Sequence, residues 1–306
     1  MARNGSGLGK LPANPWALIK AIRSADERQD ESFVLSVMVD TSLDPALLAY
    51  AKEALRPQTD NLILYVSPYD DKPAGFAFGS QLVIILAGSS TATREQLDRA
   101  TQLRIPAVVL TLDVALLQEL AKGGGDPIDT ACIVAVGGRG SNAVRLEALF
   151  KELGSWICRQ LKEGLLPLAR ALTFMRRPFV QNAVMTTALQ NAAIGGAFFI
   201  PGADMPLITL NQAKLLLQIA LVYEAEIDMR RFKELGVLLL SAFGLRGLAR
   251  RLVGVVPLFG WAIRAGIAFS GTYALGEAAC RYFEAGGQPK KMLAGLPLIK
   301  KVGVHG

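Results

Sequence analysis

The sequence is poor in the residues that most often hold metals or form disulfides. Its 306 residues include one histidine and three cysteines. The histidine, His305, is the penultimate residue, and Cys132, Cys158 and Cys280 are far apart, so no Cys/His pair has metal-ligand spacing. We therefore expect no metal site and three buried thiols in a reducing compartment, rather than a disulfide framework.

The chain also lacks the glycine-rich loop with which many α/β proteins bind nucleotide phosphates. That loop, G-x-x-x-x-G-K-[ST], supplies backbone N–H groups, a lysine, and a hydroxyl for magnesium. Residues 40–45, which follow the first apolar run, read DTSLDP, with two carboxylates where phosphates would lie. Residues 5–10, GSGLGK, mimic the motif but follow no strand and have the wrong spacing. We therefore expect no nucleotide or other cofactor, and we favour a protein without catalytic activity.

Acidic residues are scarce in the second half of the chain. Residues 168–306 contain 16 Lys and Arg against 7 Asp and Glu, a net charge of +9, whereas residues 1–167 carry −2. A half that is both basic and apolar is typical of proteins that bind an anionic membrane surface or an acidic protein partner. The basic residues are not interleaved with aromatics, and no nucleic-acid-binding motif is present, so we expect no nucleic acid partner.

Five short apolar runs alternate with helix-forming segments between residues 31 and 166. The runs are 33–39, 62–66, 82–87, 107–112 and 131–136. Near-continuous apolar runs of this length are typical of parallel strands covered on both faces, and their alternation with helices predicts a doubly wound α/β sheet. Helices are predicted to begin at Asp44 and at a capping box formed by Thr93 and Gln96. Residues 67–80 are too rich in turn formers to predict a helix.

After about residue 165 the strand pattern ends and apolar helices are predicted. Residues 178–203 contain no charge and are long enough to cross a bilayer, although four amide side chains lie among them. Asn211 and Gln212 are predicted to form hydrogen bonds between helices. Within 256–286, small residues recur at every fourth position and predict the close approach of another helix. This row consists of Ala262, Gly266, Ser270, Ala274 and Ala278.

Several charged residues in this apolar half are candidates for contacts with a partner or a membrane. Arg264 interrupts an apolar helix and must pair, snorkel or face water, because an unpaired buried guanidinium is costly. Its candidate partners are Asp204, Glu226 and Glu277. Asp204 is expected either to stabilise a helix N-terminus or to contact a partner. The candidate partner or membrane residues are Arg246, Arg250, Arg251, Arg264 and Asp204.

The order and spacing of residues 82–150 are similar to those of the second half of a small bacterial GTPase domain. In that family the corresponding strand ends in Asn-Lys-x-Asp, which reads guanine, whereas here the text is TLD, ending at Asp113. Asp113 is then either a helix cap or a relic of base recognition. The resemblance covers residues 33–160 and implies a GTPase-like, Rossmann-like domain that has lost its phosphate loop. Asp40 and Asp113, at predicted strand ends, are the candidate residues of any remaining nucleotide site.

Several motifs between residues 175 and 287 resemble the YcjF-like domain of unknown function. They are FIPGAD (199–204), NQ (211–212), IALVY (219–223), GLRGLAR (244–250), PLFGWAI (257–263), TYALG (272–276) and YFEAGG (282–287). The chain departs from the family at Glu224, where glycine is frequent. The resemblance implies an α-helical, often membrane-annotated module that is fused to, or encoded beside, bacterial GTPases. It implies no catalytic residues.

These observations divide the chain into four segments. They are an N-terminal tail with a short helix (1–30), a degenerate GTPase-like α/β domain (31–166), a YcjF-like helical hairpin or bundle (167–288) and a basic tail (289–306). We predict a non-catalytic interaction or scaffold module on the cytoplasmic face of the inner membrane, integral or peripheral, with a bacterial GTPase as partner. A nucleotide-binding switch with an atypical site and a soluble, cytoplasmic helical scaffold are the alternatives. The N-terminal residues contain no apolar signal core.

Overall fold

The computed structural model describes residues 32–112, 133–135, 142–161, 163–197, 205–223 and 260–286. Within these ranges a parallel sheet carries helices on both faces, and longer helices follow it in the chain. The prediction of an α/β fold followed by a helical part is therefore confirmed.

Each of the five predicted apolar runs contains a strand. The sheet part consists of β1 (Phe33–Asp40), α1 (Pro45–Ala54), β2 (Leu62–Tyr69), β3 (Leu82–Leu86), α2 (Ala92–Gln102), β4 (Ala107–Thr111) and β5 (Ile133–Ala135). The helical part consists of α3 (Asn142–Gln160), α4 (Leu165–Ala171), α5 (Thr173–Ala197), α6 (Met205–Val222) and α7 (Gly260–Glu284). Strand β2 extends to Tyr69, three residues beyond the predicted run, and residues 70–81 contain no helix, as predicted.

All strands of the sheet run parallel, in the order β2-β1-β3-β4-β5. Phe33 of β1 lies opposite Leu62 of β2, and Leu35 lies opposite Leu82 of β3. The order therefore reverses between β1 and β3. In open α/β sheets, ligands bind in the crevice outside the carboxyl ends of the strands at such a point.

One face of the sheet borders a core that continues into the helical part. Leu35 and Ile84 are buried there with Phe150 of α3. The same cluster includes Val184 of α5 and Phe283 of α7, so the sheet and the helices share one apolar core. We call it the helical-side core.

The other face borders a smaller core beneath α2, which we call the α2-side core. It contains Met38 of β1, Ile85 of β3 and Leu97 of α2. Successive side chains of a strand point to opposite faces, so β1 and β3 contribute to both cores. This explains why their sequences are apolar without alternation.

The predicted capping box of α2 is wrong. The helix begins at Ala92, and Thr93 and Gln96 lie buried inside it. Thr93 Oγ1 is hydrogen-bonded to the hydroxyl of Tyr69 at 2.9 Å, and the Gln96 amide lies against the backbone N and O of Ala74. Thr93 thus contacts the end of β2, and Gln96 contacts the connection that follows it. A local sequence pattern does not reveal such contacts.

Helices α5 and α7 run antiparallel and in close contact. Val184 lies against Gly276, and farther along α5 Gly195 lies against Ala268. A Cβ on Gly276 would lie 2.4 Å from Val184 Cγ2, and one on Gly195 would lie 3.0 Å from Ala268 Cβ. A Cβ would overlap Val184 at Gly276 and would be tighter than ordinary contact at Gly195, so both glycines help the two helices to approach closely.

The contact face of α7 is not the predicted row of small residues. Gly266 faces open space, and Ser270 and Ala274 are exposed. The buried residues of α7 are Ala268, Thr272, Leu275, Gly276, Ala279, Cys280, Tyr282 and Phe283. Because each residue turns a helix by about 100°, a row at every fourth position drifts by about 40° per step and winds around the helix. Residues at alternating spacings of three and four positions stay on one face of a helix.

No helix within the described ranges combines the length and the apolarity needed to cross a bilayer. Helix α5 contains most of the predicted span of 178–203, and its Asn191 is buried and hydrogen-bonded to α7. Residues 198–203 lie outside the described ranges.

Candidate functional site

Asp40 ends β1 at the point where the strand order reverses, and it is 1% exposed. Its Oδ1 accepts hydrogen bonds from the backbone N–H and the hydroxyl of Ser42, at 2.9 and 2.7 Å. Its Oδ2 accepts the backbone N–H groups of Gly88 and Ser90, at 2.8 and 3.0 Å. Four donors from two loops satisfy this buried carboxylate, which ties the end of β1 to the loop after β3.

The two loops also touch each other directly. The Ser42 hydroxyl oxygen accepts the backbone N–H of Ser89 at 2.8 Å. A Cβ on Gly88 would lie 2.5 Å from Ser42 Oγ and 2.7 Å from the Ser42 carbonyl carbon. Only glycine permits this approach of the two loops at the ends of β1 and β3.

Asp44 occupies the N-terminus of α1, the second position at which a phosphate would bind. Its Oδ1 accepts the backbone N–H groups of Ala46 and Leu47, at 2.7 and 3.2 Å, and Pro45 begins the helix. The free N–H groups and the positive end of the dipole make a helix N-terminus a ready anion site. Here the chain's own carboxylate takes that place, as the predicted cap at Asp44 requires.

The contacts around Asp40 extend to the end of β2. The hydroxyl of Thr41 donates to Oδ1 of Asp70, and the hydroxyl of Ser90 donates to the Asp70 carbonyl oxygen at 2.5 Å. Burial raises the pKa of neighbouring Tyr69, so its hydroxyl stays protonated in the bond to Thr93. We call Asp40, Ser42, Gly88, Ser90 and Asp70 the strand-end network.

Two of the predicted site residues, Asp40 and Arg264, lie within the described ranges. Asp40 lies in the strand-end network, as a satisfied internal carboxylate. Arg264 is partly buried on α7, and its Nε has no hydrogen-bond partner among the described residues. Glu277, one of its predicted partners, instead pairs with Arg177 at 3.2 Å. The predicted residues outside the described ranges are Asp113, Asp204, Glu226, Arg246, Arg250 and Arg251.

Comparison of the chain with protein-family models, with curated proteins and with solved structures finds no match.

A buried polar network joins helices α5, α6 and α7. Thr272 Oγ1 accepts hydrogen bonds from the amides of Asn191 and Gln212, at 2.9 and 3.0 Å, and donates to the carbonyl of Ala268 at 2.8 Å. Asn211 donates to Asn191 at 2.9 Å. The prediction that Asn211 and Gln212 form hydrogen bonds between helices is confirmed. Such a network fixes the register of the helices, because any shift would leave buried amides without partners.

A second polar cluster lies at the other end of the same helices. Arg177 of α5 donates to Cys280 Sγ at 2.9 Å and to Glu277 at 3.2 Å, while Tyr223 donates to Glu284 at 3.1 Å. Burial raises the pKa of the Cys280 thiol, and the charge of Glu284 adds to this effect. The thiol therefore stays protonated at neutral pH.

Sequence reasoning missed two parts of these sites. The first is the loop after β3, Gly88 to Ser90, whose backbone N–H groups bind Asp40. Its run of small residues directly after a buried strand is the signal that marks a close backbone approach. The pairing of Arg177 with Glu277 joins residues 100 positions apart, and no local pattern connects them.

Proposed function

We propose that this chain is a non-catalytic interaction protein, built on a GTPase-like α/β part without a working nucleotide site. The observation that supports the proposal is the occupation of both phosphate positions by the chain's own carboxylates. Asp40 fills the crevice between β1 and β3, and Asp44 fills the N-terminus of α1. A phosphate placed at either position would meet like charge and find its backbone donors already used.

The helical part supplies the proposed attachment surface. Its half of the chain carries a net charge of +9, and Trp261 is exposed in the first turn of α7. In the sequence this tryptophan follows the basic cluster of Arg246, Arg250 and Arg251. A basic stretch of sequence followed by an exposed indole suits an anionic membrane surface, where charge and aromatic rings both contribute. We propose peripheral attachment of this half to the membrane, and the YcjF-like resemblance makes a bacterial GTPase the proposed protein partner.

Sedimentation with lipid vesicles tests this function. The full chain should sediment with vesicles that contain anionic lipid and not with neutral vesicles, and about 1 M salt should release it. Binding should be the same with and without GTP at about 1 mM. Binding that requires GTP would support a nucleotide switch instead, and failure to bind anionic vesicles would contradict the membrane proposal.

A matched pair of variants separates local from overall charge. The triple variant Arg246→Gln/Arg250→Gln/Arg251→Gln should lose most vesicle binding. The control removes three exposed basic residues of the sheet part instead, so that both variants have the same net charge. It consists of Lys52→Gln, Arg56→Gln and Lys72→Gln. Equal losses in both variants would show that only net charge matters.

A further inference from the structure

The edge strand β2 exposes apolar side chains on both of its faces. Ile63 is 51% exposed, Tyr65 40% and Val66 55%. Leu62 and Leu64 contact the helical-side core, so Ile63 and Tyr65 lie on the opposite face, beside the α2-side core. Within the described ranges no further strand covers this edge of the sheet.

A fully exposed phenylalanine enlarges this apolar surface. Phe78 belongs to the segment between β2 and β3, whose Ala77 N–H donates to Ser36 Oγ at 3.0 Å. Ser36 of β1 lies opposite Tyr65 in the sheet. Phe78 is therefore held next to the strand that neighbours Tyr65, on the same face of the sheet.

The strand lacks the features that usually protect an edge. Natural edge strands are blunted by charged side chains, bulges or proline. No residue from Asn61 to Tyr69 is charged, and Pro68 near the end of the strand is the one blunting feature in that stretch. An exposed edge of this kind favours pairing with another strand.

The backbone hydrogen bonds show which groups of β2 point outwards. The carbonyls of Asn61 and Tyr69 accept the backbone N–H groups of Phe33 in β1 and of Thr41 directly after it, at 2.8 and 3.1 Å. Since alternate residues of a parallel strand bond to the same neighbour, the odd-numbered residues face β1. Leu62, Leu64 and Val66 therefore direct their N–H and C=O groups to the open edge.

We propose that β2 pairs antiparallel with β2 of a second copy of this chain, with Leu64 on the two-fold axis. In this register Leu64 pairs with its own copy, and Leu62 pairs with Val66 of the second copy, which uses every outward N–H of the three residues. Ile63 lies directly opposite Tyr65 of the second copy. Pairs of β-branched and aromatic side chains in this position stabilise sheets. Pro68 stays outside the paired stretch, where its missing N–H costs nothing.

We choose a second copy as the partner because the exposed residues of β2 are arranged symmetrically, with Ile63 and Tyr65 on either side of Leu64. A two-fold axis through Leu64 places the same apolar surface on both sides of the seam, as an isologous interface requires. It also brings the two Phe78 surfaces to one face of a continuous ten-stranded sheet. The proposal does not depend on the proposed membrane attachment or on nucleotide.

Sedimentation equilibrium of the full chain between about 1 and 200 µM tests the dimer. The weight-average mass should rise toward that of two chains, and Ile63→Lys should weaken association at least about tenfold, because charges then enter the seam. The control is Leu189→Lys, since Leu189 is an apolar residue of α5 with a similar exposure of 56%. A monomer at all concentrations, or equal effects of the two variants, would overturn the proposal.

Crosslinking tests the register. Leu64→Cys should form a disulfide-linked dimer under mild oxidation, because residues on the axis have Cα atoms about 5.5 Å apart. Val66→Cys should not, because in this register the two copies of residue 66 lie about 13 Å apart. Efficient linkage through position 66 and not 64 would overturn the proposed pairing.

Discussion

Oδ2 of Asp40 accepts the backbone N–H of Gly88 at 2.8 Å, across 48 positions of the chain. The bond joins the carboxyl ends of β1 and β3, where a doubly wound sheet usually binds its ligand. In this protein the buried carboxylate of Asp40 accepts hydrogen bonds at that point of the sheet. The proposed function depends on that substitution of an internal carboxylate for an external anion.

Asp40→Asn should lower the free energy of unfolding by about 2–3 kcal/mol. The amide nitrogen cannot accept, so it would face backbone donors in a buried site. Urea denaturation measures the change. The control is Asp71→Asn, because Asp71 is an exposed residue of the connection between β2 and β3. This substitution should change the free energy of unfolding by less than about 0.5 kcal/mol. Similar stabilities for the two variants would mean that the Asp40 network contributes little.

Gly276→Ala should destabilise the protein by about 1–3 kcal/mol, because the new methyl group would overlap buried Val184. The same substitution at Gly266, which faces open space on the same helix, should stabilise it by about 0.5–1 kcal/mol through helix propensity. Denaturation of both variants under identical conditions measures the difference. Addition of Val184→Ala should recover part of the loss at Gly276. Equal effects of the two glycine substitutions would contradict the described packing of α5 on α7.

Thr272→Val should cost about 2–4 kcal/mol, because two buried amide donors, from Asn191 and Gln212, lose their acceptor. Thr272→Ser keeps the hydroxyl and removes one methyl group, so its cost should be about 1 kcal/mol. Thermal and urea unfolding measure both values. Equal stability of the two variants would show that the hydroxyl is not the acceptor in this network.

The free energy of unfolding should decrease at alkaline pH because of the ionisation of the Cys158 thiol. Burial raises the pKa of this thiol from 9.0 to about 12. Between these values the unfolded chain releases the proton and the folded chain retains it, so the folded state is favoured less as the pH rises. The free energy of unfolding of the wild type should therefore decrease by about 1.4 kcal/mol per pH unit more than that of Cys158→Ala above pH 9. Parallel curves for the two proteins would show that the thiol is not shielded.

The strands were predictable because each carries its own signal, an apolar run bounded by turn formers. Asp44 was predictable as a cap for the same reason, since a cap is a local feature. The long-range partners of Asp40, Thr93 and Arg177 were not, because these partners lie 24 to 107 positions away in the chain.

The contact face of α7 shows a second limit of sequence reasoning. Small residues at every fourth position predict a packing row that includes Gly266, yet Gly266 is exposed and Gly276 is buried. Both glycines lie in the same apolar helix, and the sequence alone does not say which side the neighbouring helix covers. The alternation of three and four residues along Ala268, Thr272 and Leu275 is the pattern that distinguishes the two faces.

A calorimetric titration of the wild-type chain with GTP, GDP and ATP in the presence of Mg²⁺ tests the central claim most directly. If Asp40 and Asp44 fill both phosphate positions, nucleotide at concentrations up to about 1 mM should give no saturable heat. One-to-one binding with a Kd below about 100 µM would contradict the claim, and it would favour a nucleotide switch with an atypical site.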